Sequence, residues 1–256
     1  MAVLTARRLI DEQKVTQALA LLESRLSVVD LSGYTTDEGL IAAALQFAKL
    51  LHASDYVPNQ VEAPARFAYT SAVACGDVPR HALAGDLLGQ VLQDQARYRH
   101  AALVRADVWQ LFQQMGWDEN SAATLMRLRL ADSLHHGGRC GEALRHTEQA
   151  WRAWLREPER WSQHGVRIAV AYGQVLVGCG LRAEACGLLA RSRCLPGSLE
   201  AVLEPILTSG SPEATVIIAR HRSVCARRLM AAGTPDLEAM RAADNAWYGH
   251  GTGGPR

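Results

Sequence analysis

The residues of this chain best suited to chemistry are its histidines and cysteines. Thiolates and imidazoles take up zinc, and a thiolate beside a base is a nucleophile. His135, His136 and Cys140 lie close together, and Cys179, Cys186 and Cys194 follow at spacings of seven and eight. A structural zinc site draws on two ligand pairs, each separated by roughly two to four residues, and neither group has that form. Adjacent histidines on a helix point about 100° apart, so His135 and His136 do not readily share one ion. These spacings predict no metal site. His221 precedes Cys225 by four residues, and the pair reads as a coincidence of helical spacing. The chain has no Gly-x-Ser-x-Gly, Gly-x-x-x-x-Gly-Lys or His-Glu-x-x-His, and Gly178-Cys179-Gly180 lacks the third glycine of a phosphate loop. The expectation is therefore no catalytic residue and no cofactor.

Two further groups could recognise a partner. Arg7-Arg8 and Arg227-Arg228 are short basic pairs, and Arg97, Arg99, His100 and Arg105 form a basic strip beside Tyr98. With a net charge of +1, nothing global draws the chain to nucleic acid or anionic lipid, and these groups read as solvated helix faces. Trp151 and Trp154 are three apart, with Trp161 soon after. At that spacing they read as core between successive elements; the alternative is an exposed aromatic anchor.

The elements that must position these residues are helices. Apolar residues make up 48% of the 256 residues and aromatics 6%; alanine and leucine dominate, which favours helix over sheet. Apolar residues recur at spacings of three and four, as in Leu9, Val15, Leu19, Leu22 and Leu26. Thr35-Thr36-Asp37-Glu38, Ser211-Pro212-Glu213 and Thr234-Pro235-Asp236 read as helix starts, and Gly76, Gly116, Gly180 and Gly233 as stops. The N-terminal residues lack the apolar region of a signal peptide, and no apolar stretch approaches a membrane span. The expectation is a cytoplasmic protein with no membrane association, whose cysteines are small buried apolar residues in a reducing compartment. The basic residues are nearly all arginine, the lysines being Lys14 and Lys49; with the many alanines this suggests a bacterial source.

A triad recurs along the chain: a small residue, leucine three later, and a small residue twelve after the first. It reads Ala6-Leu9-Ala18, Gly89-Leu92-Ala101, Ala131-Leu134-Ala143 and Gly173-Leu176-Ala185. A fifth copy starts at Ala48-Leu51, but Gln60 takes the last place. The first positions are 6, 48, 89, 131 and 173, giving steps of 42, 41, 42 and 42. Small residues in mid-helix let two helices approach closely while the leucine fills the space beside them. Residues 55–66, with Pro58 and Pro64, interrupt the second unit, so its second helix is expected to start late.

The segments Ala131 to Leu144 and Gly173 to Ala185 resemble the central part of a tetratricopeptide (TPR) repeat, with Ala150 at that family's later small position. The resemblance covers residues 1–195 and is strongest over 82–195. The family's consensus repeat is about 34 residues, so a step near 42 implies longer helices. The resemblance implies an all-α fold, a right-handed superhelical stack of antiparallel helix pairs in a TPR-like α-solenoid. Repeats would occupy 1–195, capping helices of the same domain 196–248, and a disordered tail 249–256.

In such a stack the first helices line the concave side. In the family's register, the positions one, four and five after each small anchor, and three before it, face that groove. This nominates Lys49, His52, Asp86, Gln90, Gln93, Asp94, Asp132, His135, His136 and Gln174 as partner-binding residues. They do not reproduce the Lys/Asn/Arg set by which some family members clamp a terminal carboxylate. The resemblance thus implies a non-catalytic scaffold or regulatory adaptor binding a protein or peptide, with homodimerisation left open. The alternatives are a transcription-associated regulator, either a sensor half or a weak DNA binder, and an enzyme of specialised metabolism built around a helical cavity.

Overall fold

The structure is a computed structural model and describes residues 2–54, 58–157, 165–181, 184, 185, 187 and 188. The expectations placed on Trp161, Cys186, Cys194, His221, Cys225, Arg227-Arg228, the capping region 196–248 and the tail 249–256 lie outside these residues. Among the described residues there is no strand. The helices are α1 Ala2–Asp11, α2 Val15–Leu26, α3 Glu38–Ala53, α4 Pro58–Cys75, α5 Val78–Asp94, α6 Tyr98–Gln114, α7 Ser121–His136, α8 Cys140–Arg156 and α9 Gly165–Gly178. No helix among these residues is long and apolar enough to cross a membrane. The chain divides into two compact units, Met1–Trp117 and Asp118–Arg256.

In the first unit α1/α2, α3/α4 and α5/α6 are helix pairs, and each pair packs on the next through α2–α3 and α4–α5. The first helices also touch along the row, α1 with α3 and α3 with α5. In the second unit α7 packs on α8, α8 on α9, and α7 on α9.

The triad marks the interior. Ala6, Ala18, Ala48, Ala101, Ala131, Ala143 and Ala185 are buried, as are Leu51, Leu92, Leu134 and Leu176. Gly89 shows why the first position must be small. A Cβ there would stand 2.8 Å from Nε and 2.9 Å from Cγ of Arg105 on α6.

The leucine has a second duty that spacing alone does not reveal. Its carbonyl closes the turn within the pair. The amides of Lys14, Arg97, Arg139 and Leu181 donate to the carbonyls of Leu9, Leu92, Leu134 and Leu176 at 2.7, 2.8, 2.8 and 2.9 Å. This is the six-to-one bond of a Schellman ending, which requires a left-handed residue just before the donor. Gln13, Ala96, Gly138 and Gly180 supply it with φ of 60°, 57°, 88° and 79°. The turn fixes where the second helix begins, so α2, α6 and α8 follow without a distinct cap. The first helices are capped by side chains instead. Asp37 accepts from the amides of Gly39 and Leu40 at 2.7 and 3.2 Å, Asp77 from Arg80 at 3.0 Å, and Asn120 from Ala123 at 2.8 Å.

The second pair departs from the expected late start. α4 begins at Pro58 and runs through Pro64. The fixed φ of proline suits a first turn, whereas Pro64, six residues further in, lies inside the helix, where it forgoes a backbone hydrogen bond and its ring crowds the preceding turn. Gln60 stands in the triad position, but the buried small residue is Ala65, which joins Ala48, Leu51 and Leu88 in one apolar cluster.

Candidate functional site

Six of the nominated groove residues lie in the first unit, and the fold brings them to one row of helices. Lys49 and His52 project from α3, and Asp86, Gln90, Gln93 and Asp94 from α5. The ring Nε2 of His52 lies 3.0 Å from Asp94 Oδ2, and Gln90 Nε2 donates to Asp94 Oδ1 at 2.9 Å. Lys49 is half-buried. Burial lowers its pKa and the positive charge of Arg7 on α1 lowers it further, while the carboxylate of Asp86 opposes both. Three successive first helices therefore contribute to one electrostatic environment.

The row has a buried support that sequence reasoning missed. Arg105, read as part of a basic surface strip, is only 1% exposed. From α6 its guanidinium donates to the side-chain carbonyls of Gln93 and, at 3.2 Å, Gln90. The signal in the sequence was the glycine at 89, a vacant Cβ position that the arginine stem occupies. A buried guanidinium is tolerable here because both of its terminal nitrogens meet fixed acceptors. The expected basic strip is not assembled: Arg97 is paired with both carboxylate oxygens of Glu62 at 2.8 Å, and only Arg99 and His100 are exposed. Burial acts to raise the pKa of Glu62, but hydrogen bonds from Arg66, Gln95 and Arg97 outweigh it and hold it at about 2.

A third polar group ties α4, α5 and α6 together. Tyr69 donates to Asp107 Oδ2 at 2.7 Å, and His81 Nε2 lies 2.6 Å from the same oxygen. Burial and the Asp107 carboxylate both raise the tyrosine pKa. Two side chains from neighbouring helices converge on the one carboxylate, so the set reads as a brace between helices.

The second unit treats its nominated residues differently. His136 Nδ1 lies 3.1 Å from Asp132 Oδ1 on the same helix, and Gln174 is exposed. His135 is 3% exposed and so cannot line an open groove. Its Nδ1 lies 3.6 Å from Cys140 Sγ and 3.6 Å from Cys179 Sγ. Cys140 and Cys179 form a disulfide, with Cα atoms 6.1 Å apart, where the sequence reading expected separate reduced thiols. The spacing of 39 residues hides this pairing. It is close to one repeat, so stacking places the first residue of α8 beside the turn that follows α9. Trp151 and Trp154 are buried, their rings 5.1 Å apart, and Tyr172 is 6.2 Å from Trp151; these two tryptophans are core. A charged cleft of about 360 Å³, lined by Asp118, Glu119, Arg127, Arg152, Arg156 and Glu157 among others, was not foreseen.

No family model matches the chain, and no curated protein matches it in sequence. Solved structures do. The TPR-like repeats of a kinesin-light-chain protein from Podosopora anserina superpose with a TM-score of 0.63 at 16% identity, covering 75% of this chain and 92% of that one. The apo form of RapI superposes with a TM-score of 0.62 at 11% identity, covering 96% of this chain and 93% of that one. Paired helices, a buried small-leucine-small triad and these neighbours agree: the chain has a TPR-like helical repeat fold.

Proposed function

We propose that this protein is a non-catalytic scaffold or regulatory adaptor that binds a polypeptide segment along the face formed by α1, α3 and α5. The observation that supports this reading most is the run of polar side chains from successive first helices. Lys49, His52, Asp86, Gln90 and Asp94 offer donors and acceptors of both signs, held from below by Arg105. Such a surface suits a peptide backbone, whose amides and carbonyls need both kinds of partner, and side chains of mixed charge. It is poorly suited to a nucleic-acid backbone, which calls for an uninterrupted positive track. The TPR-like neighbours carry the same fold, and a repeat scaffold with polar first helices is suited to ligands of this kind.

Selection of short peptides displayed on phage against the intact chain tests the reading. An enriched peptide should bind the purified protein by calorimetry. Lys49→Ala and Gln90→Ala should each weaken it by at least about tenfold, roughly 1.4 kcal/mol, with the helical circular dichroism unchanged. Peptides that bind equally well to both variants would show that this face is not the binding surface.

A further inference from the structure

The buried cluster of His135, Cys140 and Cys179 is not used by the proposed binding face, and its geometry exceeds what a structural disulfide requires. Its imidazole nitrogen lies at equal distance, 3.6 Å, from both sulfurs. The donor atoms all lie within 4.8 Å of one another, and the three residues are 3%, 2% and 7% exposed. Position 178 is shaped to the ring, since a Cβ there would collide with the His135 imidazole. A disulfide needs no third donor centred on its two sulfurs. A thiophilic cation does.

We propose that in the dithiol state these three side chains form an internal site for a thiophilic closed-shell cation, Zn²⁺ or Cu⁺. Metal–sulfur bonds of about 2.3 Å and metal–nitrogen bonds of about 2.0 Å separate donors around one ion by roughly 3.5 Å. The imidazole already stands at that separation from each sulfur. Only the sulfur pair has to open, by side-chain rotation. Soft thiolates select these ions over hard divalent cations. The ligands come from the last turn of α7, the first residue of α8 and the turn after α9, so the ion would join two successive repeats at the place the disulfide joins them.

The interconversion balances through an external dithiol. Its two electrons and two protons convert the Cys140–Cys179 bond into two thiols, and it leaves as its own disulfide. Cation binding then displaces the two thiol protons to solvent. His135 contributes the lone pair of Nδ1 and keeps its proton on Nε2. Zinc would complete its shell with one further oxygen ligand, whereas Cu⁺ is satisfied by fewer donors, and separate titrations distinguish the two.

The intact chain is reduced anaerobically with a phosphine, freed of reductant, and incubated with Zn²⁺ alone or Cu⁺ alone. Bound metal is measured after gel filtration, and thiols are trapped with iodoacetamide and mapped by mass spectrometry. The expected result is about one tightly held equivalent of one of the ions, with alkylation of Cys140 and Cys179 slowed at least about tenfold, because a thiolate bound to metal is withheld as a nucleophile. The exposed thiol of Cys75 should react at an unchanged rate. Cys140→Ser with Cys179→Ser should abolish the bound equivalent. Should that variant fail to fold, the trapping contrast in the unaltered chain decides alone. The proposal is overturned if neither ion protects Cys140 and Cys179, or if protection falls on Cys186 and Cys194 instead.

Discussion

His52 and Asp94 are 42 residues apart in the chain and 3.0 Å apart in space. The separation is one more than the step of 41 from Ala48 to Gly89, so the contact joins sites one position out of register on the first helices of neighbouring repeats. Both side chains remain about one-third exposed, which limits what the pair contributes to folding. In a double-mutant cycle on His52→Ala and Asp94→Ala, the coupling in unfolding free energy should be about 0.2–1 kcal/mol. Peptide affinity should fall more steeply than stability. A coupling well above that range would mark the pair as a structural tie and remove it from the binding face.

Gly89 and Arg105 make the opposite case, a contact sealed inside the first unit. Gly89→Ala would bring a methyl group to 2.8 Å from the guanidinium nitrogen. The arginine stem must shift, and its bonds to Gln90 and Gln93 go with it. Overpacking of this kind costs about 1–3 kcal/mol, so the thermal midpoint should drop and peptide binding should weaken in parallel. Unaltered stability in calorimetry would show that Arg105 can relocate freely.

Ala96 occupies a left-handed conformation, φ 57°, where Gly138 and Gly180 hold the matching turns of the later repeats. A non-glycine residue there is strained by roughly 1–2 kcal/mol. Ala96→Gly should relieve this strain, partly offset by the extra freedom of glycine in the unfolded chain. A gain of up to about 1 kcal/mol in chemical denaturation is expected. A loss would mean that the alanine methyl packs more usefully than its strain costs.

Two half-buried groups make stability depend on pH in separate windows. His146 is pushed down to about 4 by burial, then by the positive charges of Arg127, Arg145 and Arg139. The unfolded chain therefore binds more protons between pH 6.5 and about 4. Its contribution is complete above the unfolded value and is lost as pH falls through that window. Glu62, held at about 2 against an ordinary 4.5, acts the same way lower down. Its contribution is present above 4.5 and lost as pH falls toward 2. Urea midpoints followed with pH should lose the upper slope in His146→Gln and the lower slope in Glu62→Gln. Slopes identical to those of the unaltered chain would assign the titrations elsewhere.

Much of the architecture was legible because it is local or periodic. Asp37 is a cap by its own side chain, and Gly76 and Gly116 end helices because the left-handed conformation favours glycine. The triad at 6, 48, 89, 131 and 173 was legible because close helix packing admits only small residues at those places. The spacing of Trp151 and Trp154 favoured core over an exposed aromatic anchor, and their burial decides between the two.

The sequence by itself determined the all-helical repeat, its step, and the row of polar positions on the first helices of the first unit. Tertiary structure alone decided what those positions meet. Arg105 looks like any surface arginine until the missing side chain of Gly89 gives its stem a place inside. His135 belongs to the same register as His136, yet one is sealed against sulfur and the other is paired with Asp132, because a helix turns them apart and only one faces the next repeat. Cys140 and Cys179 lie 39 residues apart, and no short-range rule connects them. Their meeting follows from stacking, which brings residues about one repeat apart into contact and so gathers a buried imidazole and two sulfurs that the linear spacing kept separate.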